Sequence, residues 1–462
     1  MKLEPSIFFE HPAWQENIVN CDLKKADQPT AIKSLRINWG RDQFLDDHDP
    51  AILKFTFCVF DTAKVTTYRM MTHRASIPIR VEVAGLTIFR GFPRDIHARR
   101  TKINGRDVYI FDITAADETA KLGNHRPSGS GIQSWSSTRG DYGVDFINTM
   151  FKNLADDMPG IAKAIAPAGS SEWDVQIGHT DWSQATLHTY LTRYYRSAGG
   201  IGWDYNPDTK EIIPQGTGPE SITAVMTWYT GQGVRIVPEL ENSSATPVVG
   251  LDGKILEVDD LGFSITPRLS LKTVKVKAYN FTDKGAIEKD LTLNRWGTDT
   301  TTVETMLAPR NKWDLSHYLN NFAPRFKKTM TATSLWPDPP SIRFRTKDLF
   351  SMQEVRYWFA TYYTGIYGII RNSAVLEWLQ SAPDAYAGFT PPTVVPRGGQ
   401  LEYDGEEWTI DQDLTILGKF NANLASVTYE TLNERTARMK NYADSTSWSD
   451  FQILPQRNEF RS

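Results

Sequence analysis

Residues 35–61 read LRINWGRDQFLDDHDPAILKFTFCVFD and place a polar, acidic segment between two apolar runs. In the second run every residue from 55 to 60 has strand propensity, and Phe55, Phe57 and Val59 fall on one face. The acidic segment is either a metal site or a loop that joins two β-strands. Much of what the protein does depends on which of the two it is.

The spacing of the acidic residues argues against a calcium loop. A loop of the EF-hand type needs oxygen ligands at its first, third and fifth positions, and Glu at its twelfth. Counted from Asp42, the third position is Phe44 and the twelfth is Leu53, so the pattern fails. Asp and Pro also end strands and shape turns, which predicts a loop. An irregular metal site is the alternative, and it would use Asp46, Asp47, His48 and Asp49.

The composition is that of a globular protein with several domains. The chain has 462 residues, of which 40% are hydrophobic and 23% charged, and its formal net charge is −4. This length predicts roughly two to four domains, and the small charge gives no global attraction to nucleic acid or anionic membrane. No apolar run is long enough to cross a bilayer and the N-terminus lacks a signal-peptide pattern, so we expect no stable membrane insertion. Because Cys21 and Cys58 are the only cysteines, we expect no disulfide framework and synthesis in a reducing cytosol.

Aromatic residues are frequent, with 14 Trp, 18 Tyr and 22 Phe spread along the chain. This composition favours strand-rich cores and subunit interfaces, where aromatic side chains concentrate. A carbohydrate-binding surface is the alternative interpretation.

The first third of the chain is dominated by strand patterns. Residues 79–83 alternate apolar and polar side chains, and an Ala-Gly turn leads from them into an aromatic strand. Asn104 and Gly105 form one of the strongest short hairpin signals, directly before a strand at 108–113. Residues 1–122 are therefore predicted to form a mostly antiparallel β domain.

A small α+β module is predicted for residues 143–260, after a Gly/Ser-rich linker or exposed loop at 123–142. A helical pattern covers about 143 to 165. A second helix is followed by a hairpin that turns at residues 206–208. The apolar stripe of this second helix consists of Leu187, Tyr190, Leu191 and Tyr194.

A second β domain is predicted for residues 261–428, and a peripheral C-terminal segment for 429–462. The clearest feature of this second β domain is a late hairpin with an Asp-Gly turn at Asp404 and Gly405. A similar order of strand, Gly-containing turn and aromatic strand occurs near residues 79–91, so duplication of a β domain is a hypothesis. Further strands are expected near 274–276, 287–293 and 299–306.

The sequence contains no signature of catalysis, so the protein is not expected to be an enzyme. The eight histidines show no H-E-x-x-H spacing, and neither a G-x-S-x-G elbow nor a phosphate-binding loop is present. We predict no catalytic, cofactor-binding or metal-binding residues. A glycosidase leaves no such signature, and its carboxylates would be Glu172 beside Trp173, or Glu406 and Glu407 beside Trp408.

Two short basic clusters occur, one at Arg99 and Arg100 and one at residues 325–328. Clusters of this size are typical of a solvated face. The alternative is a channel lining that contacts passing nucleic acid.

The order of the sequence features within residues 35–61 is also informative. A W-G-R-D turn at 39–42 is followed by an acidic loop ending in Asp49, and then by a strand that closes in Phe60 and Asp61. This order resembles the start of minor tail proteins of long-tailed, siphovirus-type phages that infect actinobacteria.

Two later strands extend the resemblance. The sequences IFRGFPRD at 88–95 and ITAAD at 113–117 are similar to the strand with an F-x-G turn and the closing strand of that family. The resemblance covers about residues 35–120, and beyond them only the order of elements matches.

The resemblance implies the architecture of a tail hub or baseplate hub. Its fold would be mainly β, with two tube-like antiparallel β-barrel or sandwich domains flanking the α+β module. Such hubs are homotrimers that bind the distal tail protein or tail tube, the tape-measure protein and other minor tail proteins. The chain would be assembled in the host cytoplasm and reside at the tail tip of the virion. A hexameric distal tail adaptor is the alternative within the same class.

The site residues predicted here are structural turns. Three of them shape the turn of the first domain, two the next turn and two the late hairpin. In chain order they are Trp39, Gly40, Arg41, Phe89, Gly91, Asp404 and Gly405.

Overall fold

Strands dominate the structure, which is a computed structural model. It describes residues 4–11, 14–19, 30–42, 46–61, 65, 77–83, 85–126, 141–165, 186–197, 202–215, 222–229, 233–238, 255–256, 260–264, 271–279, 286–292, 299–305, 319, 341–346, 367–371 and 393–417.

The elements fall into three groups along the chain. The first contains β1 (Pro5–His11), β2 (Trp14–Val19), β3 (Thr30–Gly40), β4 (Asp49–Val59), β5 (Ile79–Val83), β6 (Leu86–Ile103), β7 (Arg106–Asp117) and a 3₁₀ helix (Glu118–Lys121). The second contains α1 (Asp141–Asn153), β8 (Lys163–Ala164), α2 (Leu187–Ser197), β9 (Gly202–Asn206) and β10 (Glu211–Gln215). The third contains β11 (Ile222–Tyr229), β12 (Gly233–Pro238), β13 (Ile255–Leu256), β14 (Asp260–Ser264), β15 (Leu271–Tyr279), β16 (Ala286–Thr292), β17 (Asp299–Glu304), β18 (Ser341–Thr346), β19 (Tyr367–Arg371), β20 (Thr393–Tyr403) and β21 (Trp408–Leu417).

The largest sheet in the described part of the chain has 15 strands and joins the first group to the third. Its main path runs β13-β12-β11-β19-β20-β3-β4-β7-β6-β5-β1-β2, and β21, β18 and β14 branch from β20. Within it β3 pairs antiparallel with β4 on one side and with β20 on the other. Strands from opposite ends of the chain therefore lie side by side.

Cross-strand rows of apolar side chains explain this pairing. Leu35 lies opposite Phe55 on one side and Tyr403 on the other, and all three are buried. Phe55 in turn faces Ile113, while Phe57 stacks on Phe111 with ring centroids 5.0 Å apart. Each such fully buried side chain contributes about 1.5 to 3 kcal/mol, so the rows stabilise one register over its neighbours.

Two predicted hairpins are confirmed. Ile103 pairs with Arg106 across Asn104 and Gly105, whose φ angles are 50° and 79°, as a type I′ turn requires. The late hairpin joins β20 to β21, with Tyr403 opposite Trp408.

The second group forms the α+β module, defined here as residues 141–165, 186–197 and 202–215. β9 and β10 form the predicted hairpin, and β8 adds to it in parallel. The sheet packs on α2, where Trp203 Nε1 donates a hydrogen bond to Thr192 Oγ1 at 3.1 Å.

The predicted helix over residues 143–165 is too long. The helix α1 ends at Asn153, and the chain then turns before it enters β8. Pro159 lies in this turn, and its missing N–H and fixed φ are incompatible with a helix interior. The side chain of Asn148 binds the backbone N–H and carbonyl of Ala164 at 2.6 and 3.2 Å, and so fixes β8 beside α1.

Three of the later strands form a separate sheet in the order β16-β15-β17. Val274 lies opposite Leu291, which confirms the predicted neighbour near 287–293, and the Thr-rich strand becomes β17. Arg193 of α2 donates to Glu304 Oε2 of β17 at 2.5 Å and so connects this sheet to the module.

The fold is mainly β with a small α insertion, as expected. No helix among the described residues is long and apolar enough to span a membrane. The domain boundaries at 122, 142, 260 and 428 remain predictions, and residues 127–140 and 429–462 lie outside the described part.

Candidate functional site

The acidic segment is a loop between two strands, as the turn chemistry predicted. β3 ends at Gly40, which has a φ of 101°, and β4 begins at Asp49 directly opposite it. A register shift between Asn38 and Gly40 places two residues of β4, Pro50 and Ala51, opposite Trp39 alone, so β4 carries the extra residue of a bulge. This bulge and the positive φ turn the following residues away from the sheet.

Arg41 is the centre of the loop. Its side chain is only 1% exposed and reaches into the α+β module. The guanidinium donates from Nη2 to Trp203 O and to Asp204 Oδ1, both at 2.9 Å, and from Nη1 to Asp46 O at 3.0 Å. One side chain thus holds its own loop and the β9 strand of the module.

His48 completes this contact. Its Nδ1 lies 3.3 Å from Asp204 Oδ1, and its ring centroid lies 4.6 Å from that of Trp203. His188 of α2 approaches from the other side, with Nε2 3.2 Å from His48 O. Burial disfavours the charge of Asp204, but Arg41 and His48 outweigh it and lower the pKa of Asp204.

The loop also binds the module through an ion pair at its edge. Arg196 of α2 lies 2.7 Å from Asp47. Among the described residues, no group of three or more His, Cys, Asp and Glu side chains is arranged to hold a metal ion. Two of the candidate ligands, Asp47 and His48, instead contact the module.

A second contact lies at the turn after β9. Asp208 Oδ1 accepts a hydrogen bond from the backbone N–H of Thr87 in β6 at 2.9 Å. Arg90 of β6 lies beside this turn, with Nε 3.5 Å from Pro207 O, and binds Glu10 of β1 at 2.5 Å. The predicted turn at 206–208 therefore contacts the sheet.

A third contact lies at the end of β7. Asp117 caps the 3₁₀ helix, because its Oδ1 accepts from Thr119 N at 2.9 Å, and its Oδ2 accepts from Ala51 N at 2.9 Å. Glu118 follows and is fully buried against Gly160 of the module, whose backbone N–H interacts with its carboxylate, while no side chain donates to it. Burial, opposed by Lys121, raises the pKa of Glu118 to about 7.

Together these three contacts form the docking surface of the module. Of the predicted turn residues only Arg41 makes a direct contact across this surface, and Gly40 directs the loop toward it. Sequence reasoning missed Asp204, His188 and Glu118, because no local spacing marks a buried polar side chain. The one available signal was the isolated W-G-R-D turn, whose arginine follows a buried strand.

The remaining predicted turn residues lie elsewhere in the sheet. Phe89 is buried in β6 opposite Val81. Gly91 is also buried, and a Cβ there would lie 2.1 Å from Ala116 O, so the two backbones approach too closely for a side chain.

The loop of the late hairpin depends on Asp404 and Gly405. Asp404 Oδ1 accepts from the N–H groups of Glu406 and Glu407 at 2.9 and 2.8 Å. Gly405 has a φ of 100°, and its carbonyl accepts from Tyr403 Oη at 2.9 Å.

The structure describes only part of the two alternative sites, the glycosidase carboxylates and the basic clusters. Trp408 is 4% exposed and packs on Tyr403, while Glu406 and Glu407 are exposed. Glu172 and Trp173, as well as residues 325–328, lie outside the described part. The remaining basic cluster, Arg99 and Arg100, lies exposed on β6.

Solved structures that are similar to this chain include three tail proteins. The tail protein from Neisseria meningitidis MC58 is 11% identical with a TM-score of 0.48, and the match covers 90% of this chain and 97% of that one. The 43 kDa tail protein of prophage MuSo2 from Shewanella oneidensis is 9% identical with a TM-score of 0.48, covering 89% and 97%. The prophage tail protein gp18 from Listeria monocytogenes is 10% identical with a TM-score of 0.42, covering 94% and 99%. No protein-family model and no curated protein sequence matches the chain.

Proposed function

We propose that this protein is a structural component of a phage tail tip, the hub that closes the tail tube. The observation that carries the proposal is that β3, which contains the W-G-R-D turn, pairs with β20 from the far end of the chain. The resemblance implies two β regions around an α+β module. The pairing of β3 with β20 supports this order, because both β regions contribute to one sheet and the module docks beside it.

A hub joins the sixfold tail tube to the proteins at the tip. We expect a homotrimer, because three chains with two β regions each present six similar surfaces to a sixfold ring. Its expected partners are the distal tail protein or tube, the tape-measure protein and other minor tail proteins. The expected location is the tail tip of the virion, after assembly in the host cytoplasm.

A strand edge suited to such assembly lies on β6. β5 pairs with β6 only as far as Gly91, and among the described strands residues 92–103 pair with β7 alone. Open edges of this length are normally covered by a neighbour or protected by charge. This edge is charged, with Arg94, Arg99 and Lys102 exposed, which is compatible with reversible assembly rather than with aggregation.

The same edge is the surface at which we expect transient contact with passing DNA. The side chains of Arg99 and Arg100 are 54% and 59% exposed, but Asp112 lies 3.7 Å from Arg99, and Asp107 binds Arg100. This partial neutralisation predicts weak, salt-sensitive binding. Binding of duplex DNA at low salt should weaken when both arginines are changed to alanine, and unchanged binding would remove this contact from the proposal.

We propose that the protein works by assembly and gating, without catalytic turnover. A carbohydrate-binding or carbohydrate-active protein would present tryptophan rings to its ligand. Trp203 and Trp408 are 1% and 4% exposed, so neither ring offers a stacking surface.

A cryo-EM reconstruction of the protein, alone and on its parent particle, tests the proposal. A threefold ring at the end of a tail, with pseudo-sixfold symmetry toward the tube, is the expected result. A sixfold ring would replace the hub with the distal tail adaptor. A monomer without a tube-like β-barrel would overturn both.

A ligand screen distinguishes the hub from a carbohydrate-binding or carbohydrate-active protein. Glycans in large excess should leave the melting temperature unchanged and release no reducing sugar. Stabilisation that grows with glycan concentration would support a binding protein instead, by mass action on the folded state.

A further inference from the structure

Glu118 is the feature of the docking surface that the hub proposal does not explain. It opens the 3₁₀ helix directly after β7 and is fully buried. No side chain donates a hydrogen bond to its carboxylate, and the backbone N–H of Gly160 is the one group that interacts with it in this way. Desolvation disfavours a charged carboxylate in such a place.

The segment that covers Glu118 belongs to the α+β module. A Cβ at Gly160 would lie 2.2 Å from Glu118 Cγ and 2.6 Å from its Oε1, so only glycine fits against this side chain. The carbonyl of Gly160 accepts a hydrogen bond from Tyr205 Oη of β9 at 2.6 Å. Residues 154–162 are thus held by the module on one side and lie on Glu118 on the other.

Charged groups face Glu118 from several elements. Lys121 belongs to the same 3₁₀ helix, and its Nζ donates to Asp157 O of the covering segment at 2.5 Å. Asp117 at the end of β7 raises the pKa of Glu118, and Arg90 of β6 lowers it. Lys210, in the turn after β9, also interacts with Glu118. None of these side chains donates a hydrogen bond to the Glu118 carboxyl group.

We propose that Glu118 is a proton-controlled latch between the large sheet and the α+β module. Its neutral carboxyl group packs under residues 154–162 and keeps them docked. Loss of the proton places a buried negative charge in this contact, whose desolvation outweighs the attraction of Lys121 and of the Gly160 N–H, and the segment then separates from the end of β7 so that water can solvate the charge. This inference concerns the docking of the module and does not depend on the hub proposal.

The pH range of the latch follows from burial. Burial, opposed by Lys121, raises the pKa of Glu118 to about 7 from an ordinary value of 4.5. Between these two values the docked form binds more protons than the released form does. Docking is therefore strongest at or below pH 4.5, weakens as the pH rises, and is weakest above about pH 7.

Hydrogen exchange of the full chain tests the latch, with the wild type and Glu118→Gln compared at the same pH. At about pH 8, peptides covering residues 154–165 should exchange faster in the wild type than in the variant, because glutamine cannot ionise. At about pH 4 the two proteins should agree, since Glu118 is then neutral in both the docked and the released form. Glu406→Gln is the matched control, because Glu406 is exposed on the late hairpin, and it should behave as the wild type at both values.

Equal exchange of this segment in the wild type and Glu118→Gln at both pH values would overturn the latch. The wild type alone gives an independent measurement, since its exchange, corrected for the intrinsic rate, should rise with a midpoint near pH 7. Gly160→Ala should release the segment at every pH, because the added methyl group collides with Glu118. Protection of residues 154–165 in that variant at the wild-type level would show that the segment is not held by this contact.

Discussion

At the residue scale, Arg41 gives the acidic loop its role. The loop has the composition of a metal site, yet the side chains of Arg41, Asp47 and His48 connect it to the module. Arg41 binds Trp203 O and Asp204, while Asp47 binds Arg196. Because Arg41 and Asp204 are both largely buried, each is stable as a charge only while the other is present.

Removal of Arg41 should therefore be costly. Arg41→Met leaves the Asp204 carboxylate buried without its main partner, and we expect a loss of about 3 to 5 kcal/mol of unfolding free energy. Urea denaturation measures this loss. Arg36→Met is the matched control, because Arg36 lies exposed on β3, the strand that leads into the loop, and should change stability by no more than about 0.5 kcal/mol. A similar effect of both substitutions would contradict the role of Arg41.

The decrease of the unfolding free energy at acid pH should depend on Asp204. Its pKa is lowered from 3.8, so its stabilising contribution is present above that value and is lost as the pH falls through the lower folded value. The stability difference between the wild type and Asp204→Asn should therefore be constant near neutral pH and shrink below about pH 4. Denaturant midpoints measured across this range decide it, and a constant difference would argue against an ionised Asp204.

Gly405 should be required for the loop of the late hairpin. Gly405→Val forces a β-branched residue to a φ of 100° and should cost roughly 1 kcal/mol or more. Gly405→Asn is the control, because asparagine tolerates positive φ better. Thermal unfolding of the two variants should separate them, and a valine variant as stable as the wild type would remove this turn assignment.

At the scale of elements, strand faces and hairpins were predictable, whereas helix limits and strand partners were less so. The alternation in β4 and the Asn-Gly turn after β6 are local patterns, and both appear as expected. The helix α1 was predicted too long, because the helical pattern of the sequence continues past Asn153. In the structure the chain leaves the helix there and turns through Pro159 to reach β8. Close backbone contacts such as that at Gly91 have no sequence pattern.

The β6–β7 contact should fail when Gly91 gains a side chain. Gly91→Ala places a Cβ about 2.1 Å from a backbone oxygen, so the strands must separate, and we expect a loss above about 3 kcal/mol. Gly123→Ala is the control, because its nearest atom would be 4.0 Å away. Denaturant unfolding compares them, and equal stability of the two variants would show that the strands separate at little cost.

At the scale of the whole molecule, β3 needs a partner from the far end of the chain. Its Leu35 lies between Phe55 and Tyr403, and its edge binds β20 over residues 398–403. The predicted first domain, residues 1–122, therefore lacks one side of its sheet when it stands alone.

A fragment of residues 1–122 should expose this edge. We expect it to aggregate or to melt well below the full chain, because an uncovered apolar strand edge recruits other strands. Size-exclusion chromatography and thermal unfolding measure both effects. A monomeric fragment with the melting temperature of the full chain would show that the first domain is independent of β20.

The sequence by itself determined several of the strands, among them β4, β5 and β7, which faces of them are apolar, and where several of the chain reversals lie. Side-chain alternation and turn chemistry act over a few residues, so one chain suffices to predict them. Only the tertiary structure decided that β3 pairs with β20, that Arg41 binds the module and that Glu118 is buried beneath the module. Many strand edges are compatible with pairing, and a polar side chain is buried only where the packing of distant segments outweighs its loss of water. That balance is a property of the assembled chain and has no local pattern.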